Sequence, residues 1–209
     1  MNKRTKYPRT FHLPWSEGRT DDDKTLRNCD AFSGKEVVVT EKRDGENTTL
    51  YRDGLHARSI DSRHHPSRDW VKGLQGRIGY QIPPGWRVCG ENLYARHSVP
   101  YTDLKTYFEV FSVWNGSTCL SWDETEMFCE DLGLDVVPVL YTGTFSEAML
   151  RDLSESMDTE SCEGFVVRLR DEFEITDFKT SVAKWVRKNH VQTDGHWMYS
   201  EITPNTLRG

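Results

Sequence analysis

The sequence predicts an α+β fold with antiparallel sheets, and three observations predict it. Short apolar runs of β character recur between turn signals, from Val37-Val38-Val39 to Gly164–Leu169. Consecutive runs are joined by tight turns such as Arg52-Asp53-Gly54 and Asn115-Gly116, which pair strands antiparallel. Two later segments carry helix caps and a one-sided apolar face.

Taken in order, residues 1–35 are rich in charge and turn formers, including Asp21-Asp22-Asp23, and predict a loop-rich lead-in with one short helix. Strands follow at Glu36–Glu41, Thr48–Tyr51 and Leu55–Ile60. Pro66–Leu74 has helical character around Trp70 and Leu74, and Pro83-Pro84-Gly85 breaks the chain. Trp86–Leu93 and Tyr107–Trp114 are strands. Ser121–Leu132 is a helix, with Ser121 as N-cap, Glu124 three residues on and Gly133 as its stop. Val136–Tyr141 is a strand, Ser146–Ser154 a helix and Gly164–Leu169 a buried strand. Phe173–Arg187 holds a further strand or helix. No internal repeat or low-complexity linker divides the chain.

Composition narrows the function classes. Hydrophobic residues are 36% and charged residues 29% of 209, the balance of a globular rather than a disordered chain. No apolar stretch is long enough to span a bilayer. The first residues lead into no apolar segment, so no secretory signal and a cytoplasmic location are expected. The five cysteines are scattered and odd in number, which predicts reduced structural thiols and no zinc site. A net charge of −6 argues against an all-basic surface but leaves room for a local basic groove. Arg52, Arg58, Arg63 and Arg68, with Lys179, Lys184, Arg187 and Lys188, either build such a groove or form solvated faces.

The chemistry points to Glu41-Lys42-Arg43-Asp44-Gly45-Glu46-Asn47. A strand delivers one lysine, and a turn with an acid, a glycine and an amide follows. An amine so placed suits attack on a nucleotide's α-phosphorus, leaving a phosphoramidate. Attack requires the free amine, so a lysine pKa lowered by desolvation or a nearby cation is expected. Asp44 and Asn47 suit the ribose or the phosphates. The same string also reads as an ordinary hairpin turn beside a solvated lysine.

Five more polar clusters lie on or at the ends of apolar runs. Arg58, at a strand end, suits a phosphate or an ordinary surface position. Glu91 follows Gly90 inside an apolar run, where a carboxylate needs a ribose, a metal or a salt-bridge partner. Tyr107, Glu109 and Phe111 share one strand face, and an aromatic there either stacks on a base or belongs to the core. Glu163-Gly164 opens an apolar strand with an oxygen ligand suited to magnesium alongside substrate phosphates. The segment Val182–Lys188 then offers cations for a triphosphate.

In this order the clusters resemble the covalent nucleotidyltransferase superfamily of polynucleotide ligases and RNA capping enzymes. Lys42–Gly45, Gly90-Glu91, the aromatic strand to Trp114, Glu163-Gly164 and the Lys184 segment match its successive motifs. Asn47, where DNA ligases and capping enzymes more often carry arginine, is similar to the ATP-dependent, RNA ligase 2-like pattern. The resemblance implies a ligase-type nucleotidyltransferase domain over residues 1–209, with antiparallel sheets forming a nucleotide-binding cleft flanked by helices. Most such ligases carry a C-terminal accessory domain, often an OB-fold; only His190–Gly209 follow the last motif here, so no separate C-terminal OB-type domain is expected. It implies ATP and Mg²⁺ or Mn²⁺, with AMP carried on Lys42, and RNA with 5′-phosphate and 3′-hydroxyl ends as substrate in RNA repair.

The residue roles follow from the same resemblance. Lys42 is the nucleophile, with Glu163 and Lys184 also catalytic and Glu163 near the metal. Glu41, Asp44, Asn47, Arg58, Glu91 and Phe111 contact the nucleotide or substrate end, with Phe108 as the other ring for the base. The family's last motif carries two lysines one residue apart. Val186 stands at the second position here, leaving Lys179 and Arg187 as candidates for that charge. With only a short stretch after it, either the core suffices to capture RNA or an accessory protein supplies the grip. The other readings are a DNA ligase, a capping-type guanylyltransferase, and a non-catalytic module binding nucleic-acid ends. His64, His65, His190 and His196 have no metal-ligand spacing and read as structural or solvated.

Overall fold

A computed structural model provides the structure, and it describes residues 3–20, 22–188 and 202–209. In chain order the elements are β1 (Phe11–His12), β2 (Glu36–Lys42), β3 (Glu46–Tyr51), β4 (Gly54–Ala57) and α1 (Asp69–Ile78). Next come β5 (Trp86–Asn92), β6 (Phe108–Asn115), β7 (Thr118–Cys119), α2 (Trp122–Leu132) and β8 (Asp135–Val136). The rest are β9 (Val139–Thr144), α3 (Glu147–Ser156), β10 (Gly164–Leu169), β11 (Phe173–Glu174), α4 (Phe178–Ser181) and β12 (Val182–Val186).

Two sheets result. One runs β1-β12-β10-β2-β9; the other runs β11-β7-β6-β5-β3-β4, with β8 beside β6. All pairs are antiparallel except β1–β12 and β6–β8. Period-two alternation sorts the side chains of each strand. On β2, Val37 and Val39 pack with Leu150 of α3, Phe165, Val167 and Trp185. Val38 turns the other way to meet Trp122 and Val137, and Thr40 and Lys42 line the cleft between the sheets. The second sheet packs Leu50, Val88, Phe108, Val110 and Val113 on α1 and α2, through Val71, Leu74 and Cys129. Each such fully buried side chain contributes about 1.5–3 kcal/mol. Both helices and valine-rich strands therefore press on the outer faces and leave the inner faces to the cleft.

The expected α+β class is observed, and the local signals behind it operate. Ser121 and Glu124 form a reciprocal capping box on α2, and Gly133 ends that helix in the left-handed region at φ 65°. Gly116 turns β6 into β7 at φ 59°. Four expectations need correction. The expected strand Leu55–Ile60 stops at Ala57. Val136–Tyr141 is two strands, split at Val137-Pro138, because Pro138 has no N–H to continue a ladder. Phe173–Arg187 is strand, helical turns and strand in succession. The lead-in does hold a short 3₁₀ turn, Asp30–Phe32, but it also supplies β1. That pairing places Phe11 opposite Ala183 and His12 opposite Lys184.

His12 is 1% exposed, with Nδ1 2.8 Å from Ser16 Oγ and Nε2 3.5 Å from Asp23 Oδ1. Burial, then the Lys184 cation, pulls its pKa down to about 4. The unfolded chain takes up this proton near pH 6.5, the folded chain only near 4. Stability from the neutral imidazole is therefore complete above about pH 6.5 and lost as pH falls toward 4, about 1–2 kcal/mol by pH 5. Urea unfolding at pH 7.5 and 5 should show His12→Gln losing less stability over that interval than the native chain. Equal losses would refute the assignment.

Candidate active site

Lys42 ends β2, and Glu163 immediately precedes β10, whose Gly164 is registered opposite Lys42. The register brings Lys42 Nζ to 2.6 Å from Glu163 Oε2. Glu163 is 1% exposed, whereas the Lys42 side chain keeps 25% of its surface open. Gly164 lets the start of β10 lie close against β12. Its φ is 154°, and a Cβ there would stand 2.1 Å from the Trp185 carbonyl oxygen. Gly164→Ala is expected to cost about 3 kcal/mol or more, from backbone strain plus overpacking. Chemical denaturation measures this, and a loss under 1 kcal/mol would contradict the close approach.

These residues stand in a cleft of about 860 Å³. Its walls include Thr40, Glu41, Lys42, Asp44, Asn47, Arg58, Glu91, Phe111, Glu163 and Lys184, so most of the sequence-derived set converges there. The expected lowering of the Lys42 pKa is not what the structure has. Burial alone pulls it down, but Glu163, Glu91 and Asp44 outweigh burial and hold the ammonium above the ordinary lysine value. Lys184 shows the opposite result. Burial and the neighbouring Lys42 cation lower it to about 8, against Asp23 and Glu163, which raise it. Lys184 Nζ is 3.9 Å from Asp23 Oδ1. Glu91 Oε1 accepts a hydrogen bond from Gly45 N at 3.2 Å, and burial raises its carboxyl pKa to about 8.

Several side chains in the cleft wall have structural partners. Asp44 Oδ2 accepts from Ser98 Oγ at 2.6 Å and Val99 N at 2.7 Å, which fixes the turn after Lys42 to the 97–101 loop. Arg43 donates to both carboxylate oxygens of Glu109, at 2.7 and 3.2 Å, and to Glu41 at 2.7 Å. Glu41 is thus the partner of Arg43. Asn47 differs: its Oδ1 is buried without a hydrogen-bond partner. The bulge in β6 explains the choice of aromatic ring. Cys89 pairs with Ser112 but Gly90 with Val110, leaving Phe111 as the extra residue. Phe111 and Ser112 both line the cleft, while Phe108 is fully buried under the helices.

Two expected cations are not brought into this group. Lys179 is exposed on α4, and Arg187 lies beyond the end of β12; neither lines the cleft. On β12 the alternation sends Val182 and Lys184 to the cleft and Ala183 and Trp185 to the core. Val186 is covered by the lead-in, where Ser16 Oγ accepts from its N–H and Gly18 N–H donates to its carbonyl. Nor do the arginines of residues 52–68 form one groove. Arg68 is paired with Glu46 and Arg52 with the Tyr80 carbonyl, and Arg58 alone of the four borders the cleft. His65 caps the turn at Pro66–Arg68 and His64 meets Lys72 on the surface, while His190 and His196 lie outside the described residues.

Sequence reasoning missed Tyr7, Asp23, Arg43, Arg96 and Arg168. Tyr7 sits edge-on to Phe111, with centroids 5.1 Å apart, and lines the cleft. Arg43 was legible only through Glu109 on the expected strand face. The lead-in residues carry no periodicity that announces them.

The sequence profile of the RNA ligase family matches residues 35–186. No curated protein matches the chain. An archaeal ATP-dependent RNA ligase superposes with a TM-score of 0.55 at 16% identity, covering 76% of this chain and 44% of its own. A Naegleria gruberi RNA ligase solved with pyrophosphate gives 0.54 at 16%, covering 88% and 61%. A putative ATP-dependent DNA ligase from Aquifex aeolicus gives 0.51 at 24%, covering 76% and 45%. These likenesses show a fold shared with parts of these ligases, and the chain spans about half the length of the ligases it matches.

Proposed function

This chain belongs to the RNA ligase family, and on that premise we propose that it is an ATP-dependent RNA ligase that carries AMP on Lys42. The observation that carries the reading is the Lys42–Glu163 pair, 2.6 Å apart in a cleft between two sheets. Lys42 Nζ first gives up the ammonium proton, to Glu163 Oε2 at 2.6 Å or to water, and the free amine attacks the α-phosphorus of ATP, forming an N–P bond as the bond to the bridging oxygen breaks and pyrophosphate leaves. An RNA 5′-phosphate oxygen then displaces the lysine and takes AMP in a pyrophosphate linkage. An RNA 3′-hydroxyl finally attacks that 5′-phosphorus, a phosphodiester forms and AMP departs.

Each wall of the cleft has a part. Glu163 holds the reacting nitrogen through its hydrogen bond. Lys184, partly buried and paired weakly with Asp23, neutralises the phosphates and the departing pyrophosphate. Glu91 and the unpartnered Asn47 Oδ1 offer polar contacts to the ribose and the RNA end. Phe111 stacks on the base. A divalent ion supplies charge neutralisation on the triphosphate, and Glu163 is the carboxylate that would hold it. Among the described residues no cluster of three or more His, Cys, Asp and Glu forms a metal cage. Among the described residues no helix is long and apolar enough to cross a membrane.

Intact-mass spectrometry after incubation with ATP and Mg²⁺ or Mn²⁺ tests this reading directly. The expected product is the chain plus one AMP, with GTP giving no adduct, followed by sealing of nicked or single-stranded RNA. A GMP adduct would point to capping chemistry, sealing of DNA alone to a DNA ligase, and no adduct to a non-catalytic end-binding module.

A further inference from the structure

We infer that Asn205 and Tyr101 are positioning residues for the nucleophile: Asn205 fixes Tyr101, and Tyr101 fixes the turn that follows Lys42. This rests on the lysyl-AMP reading above. Residues 93–107 join β5 to β6 with no strand or helix of their own. Ordering so long a connection costs conformational entropy, so an outside element has to hold it. Residues 202–209 do so. Ala95 bridges to Pro204 and Leu104 to Leu207. Main-chain N–H groups donate from Arg96 to the Thr203 carbonyl at 2.8 Å, from Asn205 to Tyr94 at 2.9 Å, from Thr206 to Tyr101 at 3.0 Å and from Arg208 to Leu104 at 2.7 Å. The Arg208–Asp103 ion pair is exposed and adds little.

Asn205 is the buried side chain at the centre of this contact. Its Oδ1 accepts from Tyr101 N at 3.0 Å, and its Nδ2 donates to the Leu93 carbonyl at 2.8 Å. One amide thus ties the end of β5 to Tyr101 across the loop. Tyr101 is buried as well and faces the turn. Its Oη accepts from Asp44 N at 2.9 Å, and the Arg43 guanidinium carbon lies 4.9 Å from its ring centre. Tyr101 therefore touches the two residues that follow Lys42. Gly45 in turn packs so closely on β5 that a Cβ would stand 2.6 Å from the Asn92 carbonyl oxygen. The turn is held between β5 and Tyr101. Neither Tyr101 nor Asn205 lines the cleft, so both act on the reaction through the backbone that carries Lys42. A reacting nitrogen displaced by about 1 Å can lose about a hundredfold in rate, which makes this hold matter to the chemistry.

Single-turnover labelling of the full chain with ATP and Mg²⁺ tests this, because it reads a rate constant and, from its amplitude, the fraction of competent molecules. Tyr101→Phe removes the acceptor for Asp44 N and keeps the ring. Asn205→Ala removes the bridging amide. Each should lower the rate constant at saturating ATP about ten- to a hundredfold, with a native amplitude and a half-saturating ATP concentration changed less than about threefold. The double variant should lose far less than the product of the two single losses, since Asn205 acts through Tyr101. A merely structural role leaves the rate constant native and lowers only the amplitude or the melting temperature, which would overturn the inference. Losses that multiply in the double variant would overturn it too. If Asn205→Ala does not fold, a native rate constant in Tyr101→Phe alone is enough to reject it. Either rejection leaves the lysyl-AMP reading standing, whereas a native chain that takes no AMP sinks both.

Discussion

Lys42→Ala should form no AMP adduct at any ATP concentration, a loss of several orders of magnitude. The side chain keeps a quarter of its surface open at the cleft, so its removal leaves no cavity in the core, but it leaves the buried Glu163 carboxylate without its nearest cation and should lower the melting temperature as well. The chemical alternative within reach is Lys184, the other lysine lining the cleft among the described residues. Protonation alone would favour Lys184, whose pKa falls to about 8 while that of Lys42 rises. Position argues the other way. Lys42 is held by a buried carboxylate beside the turn at Gly45, and Lys184 is drawn toward Asp23 and the lead-in. Lys42→Arg sharpens the distinction, because guanidinium keeps the charge yet is not deprotonated and cannot attack. It should be as inactive as alanine. Peptide mapping that finds AMP on Lys184, or residual labelling in either Lys42 variant, would remove the central assignment.

Local chemistry made much of this molecule legible before its structure. The box at Ser121 and Glu124, the left-handed stop at Gly133 and the turn at Gly116 are each decided by a few neighbouring residues. The polar residues at strand ends converged partly for the same reason: alternation puts Lys42 of β2 and Lys184 of β12 on the cleft side, whereas Glu163, in step with the core-facing Phe165 and Val167, reaches the cleft from just before β10. What stayed hidden depends on long-range pairing. β1 is two residues long and finds its partner, β12, some 170 positions later, so no pattern near Phe11 marks it. The same contact buries Val186 and brings Tyr7 and Asp23 to the cleft. Lys179 and Arg187 looked equivalent to cleft cations by spacing, yet a helical turn and a strand end put them elsewhere. The Lys42 pKa was misjudged in direction because three carboxylates converge from separate strands and loops, an electrostatic sum that no single segment displays.

Glu163→Gln should lower the rate of adduct formation by about a hundredfold or more, the usual cost of removing one preorganised charged group from an active site. The substitution keeps volume and an oxygen that accepts from Lys42, so it isolates the charge. Two contributions disappear together. The ammonium loses its nearest counter-charge, 2.6 Å away, and the cleft loses the carboxylate assigned to the divalent ion. Varying the metal separates them: if the charge matters through the metal, the concentration of Mg²⁺ or Mn²⁺ giving half-maximal labelling rises in the variant, and if it matters only through Lys42 that concentration is unchanged. Stability offers an independent check. Glu163 is 1% exposed, and a buried carboxylate is tolerated because a cation pairs with it. Neutralising it leaves Lys42 still balanced by Glu91 and Asp44, so the fold should survive while the chemistry fails. Labelling at the native rate by Glu163→Gln would show that the pair is an ordinary ion pair in the cleft wall, and the catalytic role would pass to another acid there, with Glu91 the next to test.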